Sequence, residues 1–324
     1  MNNGARFLKY RMEQFLKEVL QDLSLQPKRL NPKYFYDEAG DKLFQQIMNC
    51  TEYYPTNCEL EIFKEKTVDL ATVLKNGFDD FDLIEMGAGD ATKSSFLLQE
   101  LVRQNVTFTY MPIDISATMI DHLENTLSDK ITGLKVKGLN GEYFKMLKHA
   151  NQISKKKKVI LFLGGNIGNF EVAEANEFCS QLKSYLQPED LVLIGFDLKK
   201  HPRIIRAAYN DKEGLTKEFN LNLLRRINRE LGADFVTTQF EHYPSYDPAT
   251  GECRSYLISL KDQVVHLADQ EIYFKENEFI SMEISQKYSV EETDAMALQA
   301  GFVPVKHFLD SKQWFLDAVW QVEG

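Results

Sequence analysis

From about residue 80 to residue 198 the chain repeats one pattern: a short apolar run, a turn, a stretch with helical spacing, then another apolar run. The runs are Asp82–Met86, Phe108–Ile113, Leu134–Val136, Val159–Leu163 and Leu191–Phe196, and helical spacing fills Ser94–Arg103, Ala117–Leu127 and Val172–Leu186. Strands separated by helices cannot pair as tight hairpins. Each returns by a crossover, which makes neighbouring strands parallel and buries them on both faces. Right-handed crossovers then lay helices on both sides of the sheet, so the expected class is α/β, doubly wound.

On either side of this block the rhythm differs. Phe15, Val19, Leu20 and Leu23 have helical spacing, an irregular Pro- and aromatic-rich stretch follows, and a short helix from Phe44 is expected to stop near Pro55. After Asp197, residues 199–235 read as helix, with Leu215, Phe219, Leu223, Ile227 and Leu231 spaced by four and Gly232 as the stop. Residues 235–275 read as hairpins turning at Pro248–Gly251 and Ala268–Asp269. Strand, helix and strand then return at Met282–Ser289, Val290–Gly301 and Trp314–Val322. The expected division is 61–198 plus 282–324 as one domain, and 1–60 plus 199–281 as a second, α+β lobe.

Composition narrows the partners. Lys and Arg number 38 against 48 Asp and Glu in 324 residues, a net charge of -10, which lacks the field that holds phosphate backbones and excludes a general nucleic-acid binder. No window approaches the roughly 20 apolar residues of a membrane span. The first residues carry scattered charges and no apolar signal core. A cytoplasmic protein, monomeric for want of a coiled coil, is expected. Cys50, Cys58, Cys179 and Cys253 form no CxxC pair, and the six histidines no metal-like cluster, so buried reduced thiols and no metal are expected. Lys155–Lys158 reads as a solvated loop or a phosphate patch.

The sharpest local feature is Asp82-Leu-Ile-Glu85-Met-Gly87-Ala-Gly89-Asp90, an apolar strand ending in an acid and then G-x-G. Glycines there let a ligand approach the backbone. Thr92 stands where a dinucleotide fingerprint has its third glycine. The E-x-G-x-G form resembles motif I of the class I S-adenosyl-L-methionine methyltransferases. The next strand ends in Asp114, an acid that can accept from two ribose hydroxyls, and the third ends near Gly138-Leu-Asn140-Gly141. Past the fourth strand, Asn169 either caps the following helix or holds an amino-acid head group.

Several further stretches carry a more specific likeness: Leu30-Asn-Pro-Lys-Tyr-Phe-Tyr-Asp-Glu-Ala-Gly40, Thr51-Glu-Tyr-Tyr-Pro-Thr56, Ile167-Gly-Asn169, Gly195-Phe-Asp-Leu198, Ala208-Tyr209, Phe219-Asn220, Asn228-Arg-Glu-Leu-Gly-Ala-Asp234 and Glu283-Ile-Ser285. With these, the chain resembles the histidine-specific Nα-methyltransferases of the ergothioneine pathway from about residue 28 onward. The resemblance implies a class I methyltransferase domain with a substrate-binding lobe, S-adenosyl-L-methionine as cofactor and a small amino acid as substrate. Residue by residue it implies that Asn169 and Tyr209 hold the carboxylate and α-amine, with Tyr36, Phe44 and Tyr53 around the amine. Glu283 and Ser285, two apart on a strand and so on one face, would read the imidazole. Gly87, Gly89, Lys93 and Asp114 match cofactor positions, and Asn140 stands where the family has an adenine-reading Asp. A Met that lines the imidazole pocket in some members stands here as Ser255.

The implied reaction is in-line transfer of the sulfonium methyl to a neutral amine, repeated to the trimethyl betaine, with Tyr36 as acceptor or relay of the released proton. Two alternatives remain at this point: N-methylation of another amino acid or small amine such as a tryptophan derivative, and a non-catalytic cofactor-binding protein.

Overall fold

The computed structural model describes residues 3–75, 77–78 and 80–323. In chain order its elements are α1 (Asn3–Leu23), β1 (Lys28–Arg29), α2 (Glu38–Met48), α3 (Tyr54–Glu65), α4 (Thr67–Lys75), β2 (Asp80–Met86), α5 (Ser94–Arg103), β3 (Thr107–Asp114), α6 (Ala117–Lys130), β4 (Leu139–Asn140), α7 (Tyr143–Ile153), β5 (Lys157–Phe162), α8 (Val172–Ser184) and β6 (Leu191–Asp197). There follow α9 (Pro202–Ala208), α10 (Leu215–Leu231), β7 (Phe240–Tyr246), β8 (Glu252–Ser259), β9 (Gln263–Leu267), β10 (Gln270–Phe274), β11 (Phe279–Gln286), α11 (Val290–Ala300), β12 (Phe302–Leu309) and β13 (Phe315–Val322). No described helix is long and apolar enough to cross a membrane.

The chain divides into two compact units, one through Tyr54 together with Lys200–Ser285, the other Pro55–Lys199 together with Gln286 onward. The second unit is built on a seven-stranded sheet in the order β12-β13-β6-β5-β2-β3-β4. Strands β4, β3, β2, β5 and β6 run parallel, whereas β13 is antiparallel to both its neighbours. This is the doubly wound α/β arrangement expected from the sequence, with one antiparallel strand inserted. The continuous apolar runs of β2, β5 and β6 are buried along nearly their whole length, as strands covered on both faces must be. The sequence order of the strands reverses between β2 and β5, and ligands of such sheets bind outside the carboxyl ends at that point.

The first unit carries a four-stranded sheet, β1-β11-β8-β7, and the β9–β10 hairpin. Its core gathers Phe15 and Val19 of α1, Ile47 of α2, Phe219, Leu223 and Ile227 of α10, Leu257 of β8 and Ile280 and Met282 of β11. The four-residue spacing on α10 is thus one buried stripe. Gly232 ends that helix with φ 73°, where a side chain would strain the backbone.

Four expectations are corrected. Pro55 opens a helix instead of closing one: it is the second residue of α3, where a missing N–H costs nothing, and the helix before it already starts at Glu38. The stretch 199–235 is two helices, because Asp211 accepts from the backbone N–H of Leu215 (2.7 Å) and Thr216 (2.8 Å) and so starts α10 afresh. The strand expected at Leu134–Val136 lies instead at Leu139–Asn140, with Val136 only bridging Tyr110, and α7 follows it where no helix was expected. Finally, β11 belongs to the four-stranded sheet, so residues 282–285 group with the first unit and the boundary lies at Ser285–Gln286.

Candidate active site

In the Pro55–Lys199 unit the sequence-predicted cofactor residues converge at the ends of β2, β3 and β4. Gly87 and Gly89 have φ of 76° and 51°. A Cβ on Gly87 would lie 2.7 Å from the Tyr143 hydroxyl, whereas one on Gly89 would meet nothing within 4 Å. The loop is therefore tight on one side and open on the other, as a cradle for a ligand has to be. Asp114 braces it: Oδ2 accepts from the Gly89 N–H (3.3 Å) and Oδ1 from the Ser116 N–H (2.9 Å). Asn140 donates its amide to the Asp114 carbonyl (2.9 Å), tying the third strand end to the second. These groups fit an adenosyl cofactor: an acid for the ribose beside open backbone. Tyr143, missed in the sequence, sits against this loop, and burial, with Asp114 beside it, pushes its hydroxyl up to about 12.

Lys93, at the start of α5, is paired with Glu59 of α3, whose other oxygen accepts from the Gly164 N–H (2.7 Å). Burial works against the ammonium, but Glu59 outweighs it and raises the lysine. Glu85 at the end of β2 is buried and accepts from the Tyr110 hydroxyl (2.6 Å). Its burial dominates, against the hydrogen bonds from Tyr110 and Ser94, and pushes the carboxyl from 4.5 to about 7. Between those values the folded chain holds a proton that the unfolded chain has released, so stability falls as pH rises through this window. A Glu85→Gln variant, which can still accept from Tyr110, is expected to flatten that fall by up to about 3 kcal/mol, at about 1.4 kcal/mol per pH unit. Denaturant unfolding of both proteins at several pH values across the window checks it.

Asn169 closes the 3-10 turn Asn166–Asn169 after β5 and is exposed. The cap of α8 is Glu171, whose N–H donates to Glu174 (3.1 Å). Of the two roles open to Asn169, capping is therefore removed.

The unit of Tyr54 and below with Lys200–Ser285 joins five of the remaining predicted residues, Tyr36, Phe44, Tyr53, Tyr209 and Ser285, into one chain of contacts. Tyr36 meets Phe44 edge-on at 5.6 Å between ring centroids, Phe44 meets Tyr53 at 6.5 Å, and Tyr53 meets Tyr209 at 6.3 Å. The Tyr209 hydroxyl lies 2.7 Å from Ser285 Oγ. Burial alternates along β11, so Ser285 and Glu283 share the less buried face while Met282 and Ile284 face the core. This alternation is the two-residue period of a strand. Ser255 does not share that face. On β8 it alternates with the core side, in step with Leu257, is 2% exposed and lies 3.4 Å from His242 Nε2. It lines no surface with Glu283, and its neighbours on the other face of β8 are Arg254 and Tyr256. Burial pushes His242 down to about 4, so it is neutral at physiological pH.

The loop that carries Tyr36 is held by Asp37. Its Oδ1 caps α2 at the Gly40 N–H (2.7 Å) and accepts from Asn222 Nδ2 (2.8 Å), and its Oδ2 pairs with Arg229, both partners on α10. Burial opposes ionisation here, but these donors hold the carboxyl below its usual range.

Comparison with known proteins gives the family. A family-wide profile described as a histidine-specific, S-adenosylmethionine-dependent methyltransferase matches residues 15–322. A histidine N-alpha-methyltransferase of Mycolicibacterium smegmatis is 32% identical over 291 residues, 89% of each chain. An ergothioneine biosynthesis protein 1 of Neurospora crassa is 31% identical over 298 residues, 90% of this chain and 33% of that protein. An L-tryptophan methyltransferase of Psilocybe serbica is 26% identical over 320 residues, 91% of this chain and 89% of that one.

Proposed function

Because this chain belongs to the histidine-specific, S-adenosylmethionine-dependent methyltransferase family, we propose that it methylates the α-amino group of L-histidine, and does so repeatedly, to the trimethyl betaine. S-adenosylmethionine supplies the methyl electrophile. The chain's own groups then have to bind, orient and take up one proton per transfer. Gly87, Gly89 and Asp114, with Asn140 and Lys93, are read as the cofactor's contacts. Asn169 and Tyr209 are read as holding the amino-acid head group, and Glu283 with Ser285 as holding the ring.

The observation that carries the substrate reading is the Tyr209–Ser285 hydrogen bond on the strand face that also presents Glu283. A carboxylate and a hydroxyl two residues apart offer an acceptor to one ring N–H and a partner to the second ring nitrogen. An indole has one N–H and would leave part of this set unpaired. Tyr36, Phe44, Tyr53 and Tyr209 supply aromatic faces, which tolerate a nitrogen that becomes a fixed cation after the third transfer. Tyr36, 46% exposed, is read as the relay that passes the released proton towards water. The proposal includes a monomer acting in the cytoplasm, which light scattering and cell fractionation address.

Mass-spectrometric turnover with S-adenosylmethionine and each of the twenty amino acids in turn tests the whole reading. Three successive methyl additions to histidine alone are expected. Turnover of tryptophan with histidine inert would keep the methyltransferase and overturn the roles of Glu283 and Ser285. Binding without turnover of any amine would overturn the enzyme.

A further inference from the structure

Two acids that no motif singled out lie behind the cofactor loops. Glu59 of α3 and Asp317 of β13 are each 0% exposed. A Cβ on Gly195 of β6 would come within 2.5 Å of Glu59 Oε1 and 3.2 Å of Asp317 Oδ1, so both carboxyls crowd the same spot above that strand. Glu59 has clear donors: the Lys93 ammonium and the Gly164 N–H. Neither oxygen of Asp317 has a donor among the described residues. A buried carboxylate without donors beside a second carboxylate is costly, and protonation resolves it. Burial first, and then Glu59, raise Asp317 far above the usual range. A protonated Asp317 can donate to Glu59, which pairs with Lys93. The carboxyl of Glu59 is then gripped from three sides.

The lysine so held stands between two strand-end loops. Its Nζ lies 3.6 Å from where a Cβ of Gly164 would be, in the loop after β5, and its backbone begins α5, directly after the Gly87–Gly89 turn. An ammonium here is the complement of an anion bound across those loops. S-adenosylmethionine has one anionic group, its amino-acid carboxylate. A buried ion pair alone is weak evidence for stability, since apolar replacements of similar size are often as stable. An ion pair backed by a second, protonated acid is harder still to account for by stability.

We propose that Glu59 and Asp317 are positioning residues that aim the Lys93 ammonium at the carboxylate of the cofactor's amino-acid arm. Glu59 orients the lysine, and the Asp317 proton orients Glu59. This rests on the methyltransferase reading, and the two can fail separately.

The test is equilibrium binding, by calorimetry, of S-adenosylhomocysteine and of 5′-methylthioadenosine, which lacks the amino-acid arm. The proteins are the unaltered chain, Glu59→Gln, Lys93→Met, the double variant, Asp317→Asn and Asp317→Leu. Glu59→Gln is expected to weaken S-adenosylhomocysteine about tenfold or more, the scale of a lost charged hydrogen bond, and to leave 5′-methylthioadenosine unchanged. The double variant is expected to bind no worse than Lys93→Met, because Glu59 acts only through that lysine. Asp317→Leu is expected to lose more affinity than Asp317→Asn, whose amide can still donate to Glu59. Equal weakening of both ligands, additive losses in the double variant, or unchanged S-adenosylhomocysteine binding in Glu59→Gln would each overturn the proposal. If Glu59→Gln does not fold, the Asp317 pair decides: equal affinities overturn it and the stated order supports it. Failure of the unaltered chain to bind either ligand would count against the methyltransferase reading instead.

Discussion

An Asp114→Ala variant is expected to bind S-adenosylhomocysteine at least about a hundredfold more weakly than the unaltered chain. Two effects add. The side chain is the only acid at the end of β3, where two ribose hydroxyls would donate to it, and hydrogen bonds to a charged group are worth about 1.5–3 kcal/mol each. It also organises the protein: the same carboxylate holds the N–H groups of Gly89 and Ser116, so its loss loosens the glycine turn that the cofactor would lie on. About 1.4 kcal/mol per tenfold makes a hundredfold loss a conservative sum. Calorimetric titration measures it directly. Thermal unfolding gives an independent reading, because saturating ligand raises the melting temperature of a protein that binds it and leaves a non-binding variant where it was. A change of less than about threefold would remove Asp114 from the cofactor site.

The second large effect is on folding. Gly40 lies within α2, where alanine normally gains about 1 kcal/mol over glycine. Here the sign reverses. A Cβ on Gly40 would sit 1.9 Å from the Phe35 carbonyl oxygen and 3.2 Å from Asp37 Oδ1, and the first is backbone that cannot rotate aside. The Phe35–Asp37 turn has to move, and Asp37 would lose its hold on the Gly40 N–H and on Asn222 and Arg229 of α10. Gly40→Ala is expected to cost about 3 kcal/mol or more, at or above the upper end for overpacking. Denaturant unfolding measures the loss. Because Tyr36 lies in this turn and Phe44 on the helix that follows it, the surviving folded protein is also expected to show a raised KM for the amino acid with unchanged affinity for S-adenosylhomocysteine. A neutral Gly40→Ala would mean that the turn is not fixed as described.

What the chain reveals by inspection follows the range over which each interaction acts. The β2 run and the α5 spacing are local patterns, and Ser94–Arg103 was read to the residue. The shared face of Glu283 and Ser285 followed from the two-residue period alone. Helix α7 was missed because its apolar positions, Phe144, Met146, Leu147 and Ala150, lie among lysines and a histidine without a capping side chain at its start. Pro55 was read as a stop because a proline marks a boundary without saying which side the helix is on. The joint at Asp211 depends on one carboxylate turning back onto two N–H groups, which only the folded backbone shows. The pairing of Lys93 with Glu59, and the crowding of Asp317 on Glu59, join residues far apart in sequence. Each acid taken alone looks like any other charge on a helix or strand. Gly87, Gly89 and the Asp114 beside them were legible. The groups that hold those residues in place were not.

Strand β13 lies inside the seven-stranded sheet, with β6 on one side and β12 on the other. During synthesis β6 leaves the ribosome long before it has this partner. Its hydrogen-bonding edge, along Leu191–Asp197, stays open while residues 200–285 are made, and an open apolar edge is a template for wrong pairing. The last residues of the Lys200–Ser285 segment emerge before β13 does, so the nested unit has its full complement of chain while the unit that encloses it is still missing an inner strand. Translation order therefore asks the nested part to mature first, and leaves the seven-stranded sheet to be closed by a strand made after it.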